Sequence, residues 1–222
     1  MDALHRSPRL RFGGRHGRVA VLALNGTAPA ELRRALSWSR ANGTTVLCVA
    51  VDGGLRAWRS IRTRCDFYVG DGDSAMPPAR TESIVYDTDK SFSDLSGTLS
   101  ELRKRRVGVV CVAGLTGGRV DHEWINLHEL AAHAKSFAGI LAPTSRGWVV
   151  VTAGAVSIET RPGKPFSLLA LSGRARVRLT GARWSLDDEW IAPGSRGLSN
   201  LTRRALRLKV LSGVACVIFP SV

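Results

Sequence analysis

The sequence predicts an α/β fold: a mostly parallel N-terminal sheet with flanking helices, followed by a C-terminal antiparallel β-sandwich or roll. Three observations carry this reading. Continuously apolar runs at Val19–Leu24, Thr45–Val51 and Val107–Val112 alternate with stretches of helical spacing, the pattern of buried parallel strands joined by helices. The polar loops after residues 24, 51, 69 and 112 all follow strand ends, the edge where such sheets bind ligands. From about residue 143 the texture changes. Pro143, Gly147, Gly154, Pro162, Gly163 and Pro165 punctuate short runs, and Ala175–Thr180 and Ala205–Val210 alternate apolar with polar, as strands with one buried face do.

The elements follow in order. Val19–Leu24 ends at the turn signal Asn25-Gly26. Leu32, Ala35, Leu36 and Ser39 mark a helix over residues 30–40, and Thr45–Val51 is a strand closed by Asp52-Gly53-Gly54. A short helix over 55–62, a strand over 66–69 and a strand over 84–86 come next. Leu95, Leu99 and Leu102 mark one face of a further helix, and a last one runs from about Asp121 to Lys135. In the final third, Phe166–Leu171 and Val214–Phe219 are apolar strands. The expected organisation is a mobile basic tail over residues 1–17, an α/β catalytic domain over 18–143 and an all-β domain over 144–222.

Among 222 residues, 32 Lys and Arg face 18 Asp and Glu, a formal charge of +14. That balance favours anionic partners such as nucleotides, or else describes an arginine-rich solvated surface. Cys48, Cys65, Cys111 and Cys216 form no C-x-x-C pair and read as buried free thiols, in keeping with a reducing cytoplasm. The N-terminus is polar and arginine-rich, unlike a secretory signal, and no apolar run reaches membrane-spanning length. A cytoplasmic protein with no membrane contact is expected.

Three segments carry chemistry. Gly70-Asp71-Gly72-Asp73-Ser74 sets two carboxylates within three residues at a strand end. Such carboxylates repel and suit Mg²⁺, which commonly takes one or two of them plus substrate phosphates; the alternative is an Asx turn. In Asp89-Lys90-Ser91-Phe92-Ser93-Asp94, Ser91 and Asp94 have capping-box-like spacing. Equally, Asp94 is a second metal carboxylate and Lys90 a phosphate partner. Gly114 to His122 contains Gly117-Gly118-Arg119-Val120-Asp121. Its glycines admit phosphate oxygens to the backbone, and Arg119 offers a charged fork. Asp121 binds metal, orients a hydroxyl or caps the helix. His122 reads as structural.

Taken together, Asn25-Gly26, Asp52-Gly53-Gly54, the Gly70–Ser74 loop, Lys90 with Ser93-Asp94, and Gly117–His122 with Asn126 resemble the thiamine pyrophosphokinase family. Phe166–Leu169, Gly181–Leu186 and Gly197–Asn200 extend the resemblance to the C-terminal region. It implies transfer of pyrophosphate from ATP to the hydroxyl of thiamine, giving thiamine diphosphate and AMP, in a homodimer. By position, Asp71, Asp73 and Asp94 are the Mg²⁺–ATP carboxylates. Asp71, Asp73, Asp94 and Asp121 form the catalytic set. Asn25, Asp52, Gly53, Lys90, Gly117, Gly118 and Arg119 hold ATP, and Trp184, Ser199 and Asn200 contact thiamine. The cationic thiazolium suits an aromatic face such as Trp184, although core packing is the common role of a Trp. The chain departs from the family where Ser91 replaces an acid, Ser93 a threonine and Gly72 an aromatic. A pyrophosphokinase for another heteroaromatic alcohol such as a hydroxymethylpterin, a D-x-D phosphatase and a basic nucleic-acid-binding protein are the alternatives; nucleic acid is not an expected partner.

Overall fold

The computed structural model describes residues 9–13, 17–77 and 79–221. Its chain forms two compact units, His16–Glu129 with Ala142–Ser145, and Leu130–Leu141 with Arg146–Val222 and the N-terminal residues to Arg15.

The first described element corrects an expectation. Within the segment read as a mobile tail, Arg9–Phe12 is a strand, β1. Its alternation places Leu10 and Phe12 in the core, 2% and 6% exposed, and turns Arg9 and Arg11 outward. The rest of that segment before residue 17 lies outside the described residues.

The α/β unit contains β2 (Arg18–Ala23), α1 (Pro29–Asn42), β3 (Thr45–Val51), α2 (Leu55–Ser60), β4 (Phe67–Gly70), β5 (Glu82–Val85), α3 (Asp94–Lys104), β6 (Val109–Ala113) and most of α4 (Val120–His133). Its strands run β6-β2-β3-β4-β5 and every neighbouring pair is parallel. Each apolar run is buried because helices cover the sheet. Leu32, Ala35 and Leu36 of α1, Trp58 of α2 and Leu95, Leu99 and Leu102 of α3 pack away from water, on the faces their spacing predicts. The chain reverses its direction of winding between β2 and β6, so their carboxyl ends open a crevice.

Glycine makes one of these strand ends possible. Gly54 follows β3 so closely against β2 that an added Cβ would lie 1.8 Å from the Ala23 carbonyl oxygen.

One charged side chain is buried under the crevice. Glu31, in the first turn of α1, is 4% exposed and accepts a hydrogen bond from Gly114 N–H at 3.2 Å. Burial pushes its carboxyl above the usual range, against the pull of the Ser145 and Gly114 amides and Arg34. The protonated form is therefore favoured by folding. This contribution is fullest below the ordinary glutamate value near ~4.3 and is lost as pH rises through the folded value. Glu31→Gln is expected to gain stability over wild type at pH 7.5 and to lose that advantage towards pH 4. Urea midpoints at both pH values measure it; a pH-independent difference would contradict the assignment.

Strand β7 (Gly139–Thr144) begins in the second unit and ends in the first; β8 (Gly147–Thr152), β9 (Ala155–Glu159), β10 (Pro165–Ala170), β11 (Ala175–Ala182), β12 (Leu186–Ile191), β13 (Asn200–Ser212) and β14 (Ala215–Pro220) belong to the second. Strand β13 pairs with β9, β10 and β11, and β14 with β8 and β10, all antiparallel. Strand β12 pairs with β11, and β1 with β9, Leu10 lying opposite Ile158. The expected alternation holds along β11, where Arg176 and Arg178 face out while Ala175, Val177 and Leu179 are buried. All four cysteines are free and buried, and burial pushes the thiols up to about 11 for Cys65 and about 12 for Cys48, Cys111 and Cys216.

Candidate active site

The crevice at the carboxyl ends of the parallel strands is a cleft of about 590 Å³. Asn25 and Gly26 after β2, Asp52 after β3, Asp71, Asp73 and Ser74 after β4, Lys90 and Asp94 before and within α3, and Gly114, Gly118, Arg119, Glu123 and Asn126 after β6 all line it. Segments a hundred residues apart converge because each follows a strand of one sheet.

The acidic loop forms the Asx turn its sequence allows. Asp73 N–H donates to Asp71 Oδ1 at 3.2 Å, an Asx turn. Gly72 sits at φ +83°, a left-handed conformation that disfavours side chains. Ser74 Oγ donates to Asp73 Oδ1 at 2.9 Å, and Arg56 of α2 holds the Ser74 carbonyl. This bonding also gathers acids. Carboxylate oxygens of Asp52, Asp71 and Asp73 lie within 4.8 Å of one another. Asp52 itself adopts φ +45°, an uncommon conformation for a non-glycine residue, and the Tyr68 hydroxyl lies 3.4 Å from its Oδ1.

Lys90 answers this charge. Its Nζ is 3.1 Å from Asp71 Oδ2 and 3.2 Å from Asp94 Oδ1, with the lysine side chain only 10% exposed. Burial opposes the charge of Lys90, but Asp71 and Asp94 outweigh it and hold the ammonium above its usual range. Burial likewise works against ionised Asp71, yet the Asp73 amide and Lys90 leave that carboxyl below its usual range. At Asp94 burial prevails over Lys90, and the carboxyl lies above its usual range. Its buried Oδ1 has the Lys90 ammonium, 3.2 Å away, as its ion-pair partner.

The helix cap differs from the expected spacing. Ser93, not Ser91, is the N-cap of α3, its hydroxyl accepting from Ser96 N–H at 3.1 Å, and Asp94 is the first helical residue.

The glycine loop before α4 holds a further acid that sequence reading missed. Gly117 N–H and Gly118 N–H both donate to Glu123 Oε1, at 2.6 and 3.2 Å. The only sequence signal is an acid in the first turn of the helix. Arg119 grips Asp121 through two bonds, Nε–Oδ1 at 3.1 Å and Nη2–Oδ2 at 2.6 Å. Chiefly through Arg119, the Asp121 carboxyl is held down at about 2. Asp121, Gly117 and Gly53 do not line the cleft, although their neighbours do.

Trp184, Ser199 and Asn200 lie in the second unit. Trp184 is 54% exposed, so it is no core residue, and the Arg183 guanidinium stacks 4.9 Å from its ring centroid. Asn200 is buried and pins the Trp184 backbone: its Oδ1 accepts from Trp184 N–H at 3.2 Å and its Nδ2 donates to Trp184 O at 2.8 Å. Ser199 takes φ +56° and its amide donates to Ser167 Oγ at 3.2 Å.

Comparison with known proteins meets this geometry. Residues 38–141 match the family model of the thiamin pyrophosphokinase catalytic domain. No curated protein matches the chain significantly in sequence. Among solved structures, thiamine pyrophosphokinase from Bacillus subtilis is 19% identical, with a TM-score of 0.72 over 92% of this chain and 99% of that one. The enzyme from Geobacillus thermodenitrificans is 22% identical, with a TM-score of 0.68 over 92% and 98%. A thiamin pyrophosphokinase family protein from Enterococcus faecalis is 18% identical, with a TM-score of 0.65 over 92% and 99%. The structural likenesses establish the fold, and residues 38–141 are similar to the thiamin pyrophosphokinase catalytic domain.

Proposed function

We propose that this chain transfers pyrophosphate from ATP to the hydroxyl of thiamine, releasing AMP. The observation that carries the reading is the cleft itself, where the Asp52–Asp71–Asp73 cluster, Lys90 and the glycine loop converge within the segment that matches the catalytic domain.

The residues fit a divalent cation. Carboxylate oxygens of Asp52, Asp71 and Asp73 converge within 4.8 Å of one another, a gathering of like charge that a cation would relieve. Asp52, Asp71, Asp73 and Asp94 would hold Mg²⁺, which extends the set of Asp71, Asp73 and Asp94 expected from the sequence. When bound, the metal neutralises charge on the ATP phosphates.

The chain's own groups do the rest. In the transfer, the thiamine oxygen forms a bond to the β-phosphorus as the bond from that phosphorus to the AMP oxygen breaks, and the hydroxyl proton passes to a carboxylate or to water. Positioning supplies much of the rate. Lys90 and Arg119 hold phosphate charge, Asn25 and Gly118 border the nucleotide, and Asp71 is kept ionised. Asp121 serves to orient Arg119, since a carboxyl held at about 2 is a poor proton acceptor.

Thiamine binds against the exposed face of Trp184, with Asn200 fixing that residue's backbone and Ser199 beside it. The working form is a homodimer in which the second unit of one subunit meets the catalytic cleft of the other. Support comes from the apolar face of α4, where Val120, Trp124 and Ile125 are 69%, 67% and 52% exposed, more than a helix in water normally leaves uncovered. No helix among the described residues is long and apolar enough to cross a membrane.

The test is AMP release from Mg-ATP by the pure protein with and without thiamine. Thiamine-dependent AMP is the expected result; its absence overturns the reading. Greater AMP release with a hydroxymethylpterin would reassign the acceptor.

A further inference from the structure

We infer that Glu123 is a built-in surrogate for a substrate phosphate and sets the threshold for polyphosphate entry into the cleft. The inference rests on the pyrophosphate-transfer reading for the identity of the anion, but on geometry for the competition.

Two successive backbone N–H groups, of Gly117 and Gly118, converge on one oxygen, Glu123 Oε1, at 2.6 and 3.2 Å. Paired amides closing on a single anionic oxygen form the concavity that backbone nests offer to phosphate. Gly117 holds φ +99°, and an added Cβ at either glycine would meet nothing within 4 Å. Side-chain space at both glycines is open, Gly118 borders the cleft, and the carboxylate is what fills the loop's donors. Glu123 also lines the cleft with Lys90, Asp94 and Arg119.

A phosphate oxygen arriving at these amides meets a carboxylate already on them. The two anions repel, and each amide has one proton to give, so Glu123 has to swing away before the phosphate is bonded. Entry thus requires an anion held by other contacts as well. A nucleotide triphosphate with its metal gains those at Asn25, Lys90 and the acidic cluster. A free phosphate has fewer, and Glu123 discriminates against it. Glu123 is accordingly a positioning and specificity-determining residue rather than one that touches the reacting atoms.

Binding isn't read through turnover alone. Calorimetric titration of the full chain with Mg²⁺ and a nonhydrolysable ATP analogue, and separately with inorganic tripolyphosphate, is compared for wild type, Glu123→Ala and Glu123→Gln. Alanine frees both amides and removes the charge. Glutamine keeps an acceptor oxygen for both amides but carries no charge. Affinity for tripolyphosphate is expected to rise about ten-fold in Glu123→Ala, the scale of one charge-assisted hydrogen bond, with a smaller rise in Glu123→Gln. The ATP analogue gains less than tripolyphosphate, and in the thiamine assay KM for ATP falls.

Weaker or unchanged tripolyphosphate binding in both variants overturns the inference and makes Glu123 a strut of the loop. Should Glu123→Ala fail to fold, Glu123→Gln decides by the sign of its change. If wild type releases no AMP with thiamine yet the variants gain tripolyphosphate affinity, the reaction assignment fails and the competition stands. The opposite pair of results sinks the competition alone.

Discussion

Asp73→Asn and Asp94→Asn are each expected to lower thiamine-dependent AMP release by about 100-fold or more, since each removes charge that would neutralise a cation on the ATP phosphates. Asp73 is a cleaner probe than Asp71, whose Oδ1 receives the Asp73 amide and whose Oδ2 faces Lys90. Loss of Asp71 therefore disturbs the turn as well as the charge. Asp73 is exposed, and its side chain is bonded by the neighbouring Ser74 hydroxyl, an arrangement that asparagine retains. Asp94 is paired with Lys90 at 3.2 Å, so asparagine removes one half of that ion pair, and the thermal midpoint is measured beside turnover to show that the fold is kept. Activity that falls while the fold stays intact separates chemistry from stability. Near wild-type turnover in both variants would show the cleft to be misassigned.

The largest effect on stability is expected at Gly54. Gly54→Ala forces a methyl group to within 1.8 Å of the Ala23 carbonyl oxygen. A strand end has to move, because that neighbour is backbone and cannot swing aside. Overpacking of this kind costs about 3 kcal/mol, a large part of the ~5–15 kcal/mol that holds a domain folded. Gly154→Ala is the control: its nearest atom to the new Cβ is 3.9 Å away, and a change within about 0.5 kcal/mol is expected. Urea denaturation of both variants gives the comparison. Equal midpoints would mean that β2 and β3 part at their ends without cost.

Much of the α/β half is legible in the sequence because its strands are buried on both faces. The apolar run Thr45–Val51 coincides with β3, and Leu95, Leu99 and Leu102 define the buried face of α3. Strand β1 is hidden for the opposite reason. Arg-Leu-Arg-Phe alternates correctly, but four residues within an arginine-rich stretch offer too little apolar surface to stand out from their surroundings. The carboxylates are likewise visible as residues and invisible as a constellation. Asp52 reads as part of a turn, and only its uncommon backbone conformation and the closeness of β3 to β4 bring it to Asp71 and Asp73. Ser93 displaces Ser91 as the helix cap because the chain enters α3 two residues later than capping-box spacing suggests. The Glu123 contact depends on a glycine loop folding back on its own helix, which no periodicity encodes.

Strand β1 has a practical consequence. Its Phe12 ring lies over Gly139, where an added Cβ would come within 1.9 Å of Cε1, and its backbone covers the side of β9 that faces away from β13. A truncation that starts the chain at residue 18, on the view that everything before is dispensable, would bare that strand flank and the apolar slot beside it. Unpaired flanks of this kind recruit strands from other molecules. The shortened protein should precipitate or self-associate for reasons unrelated to its catalytic cleft, and an affinity tag is better placed upstream of Arg9 with that segment kept.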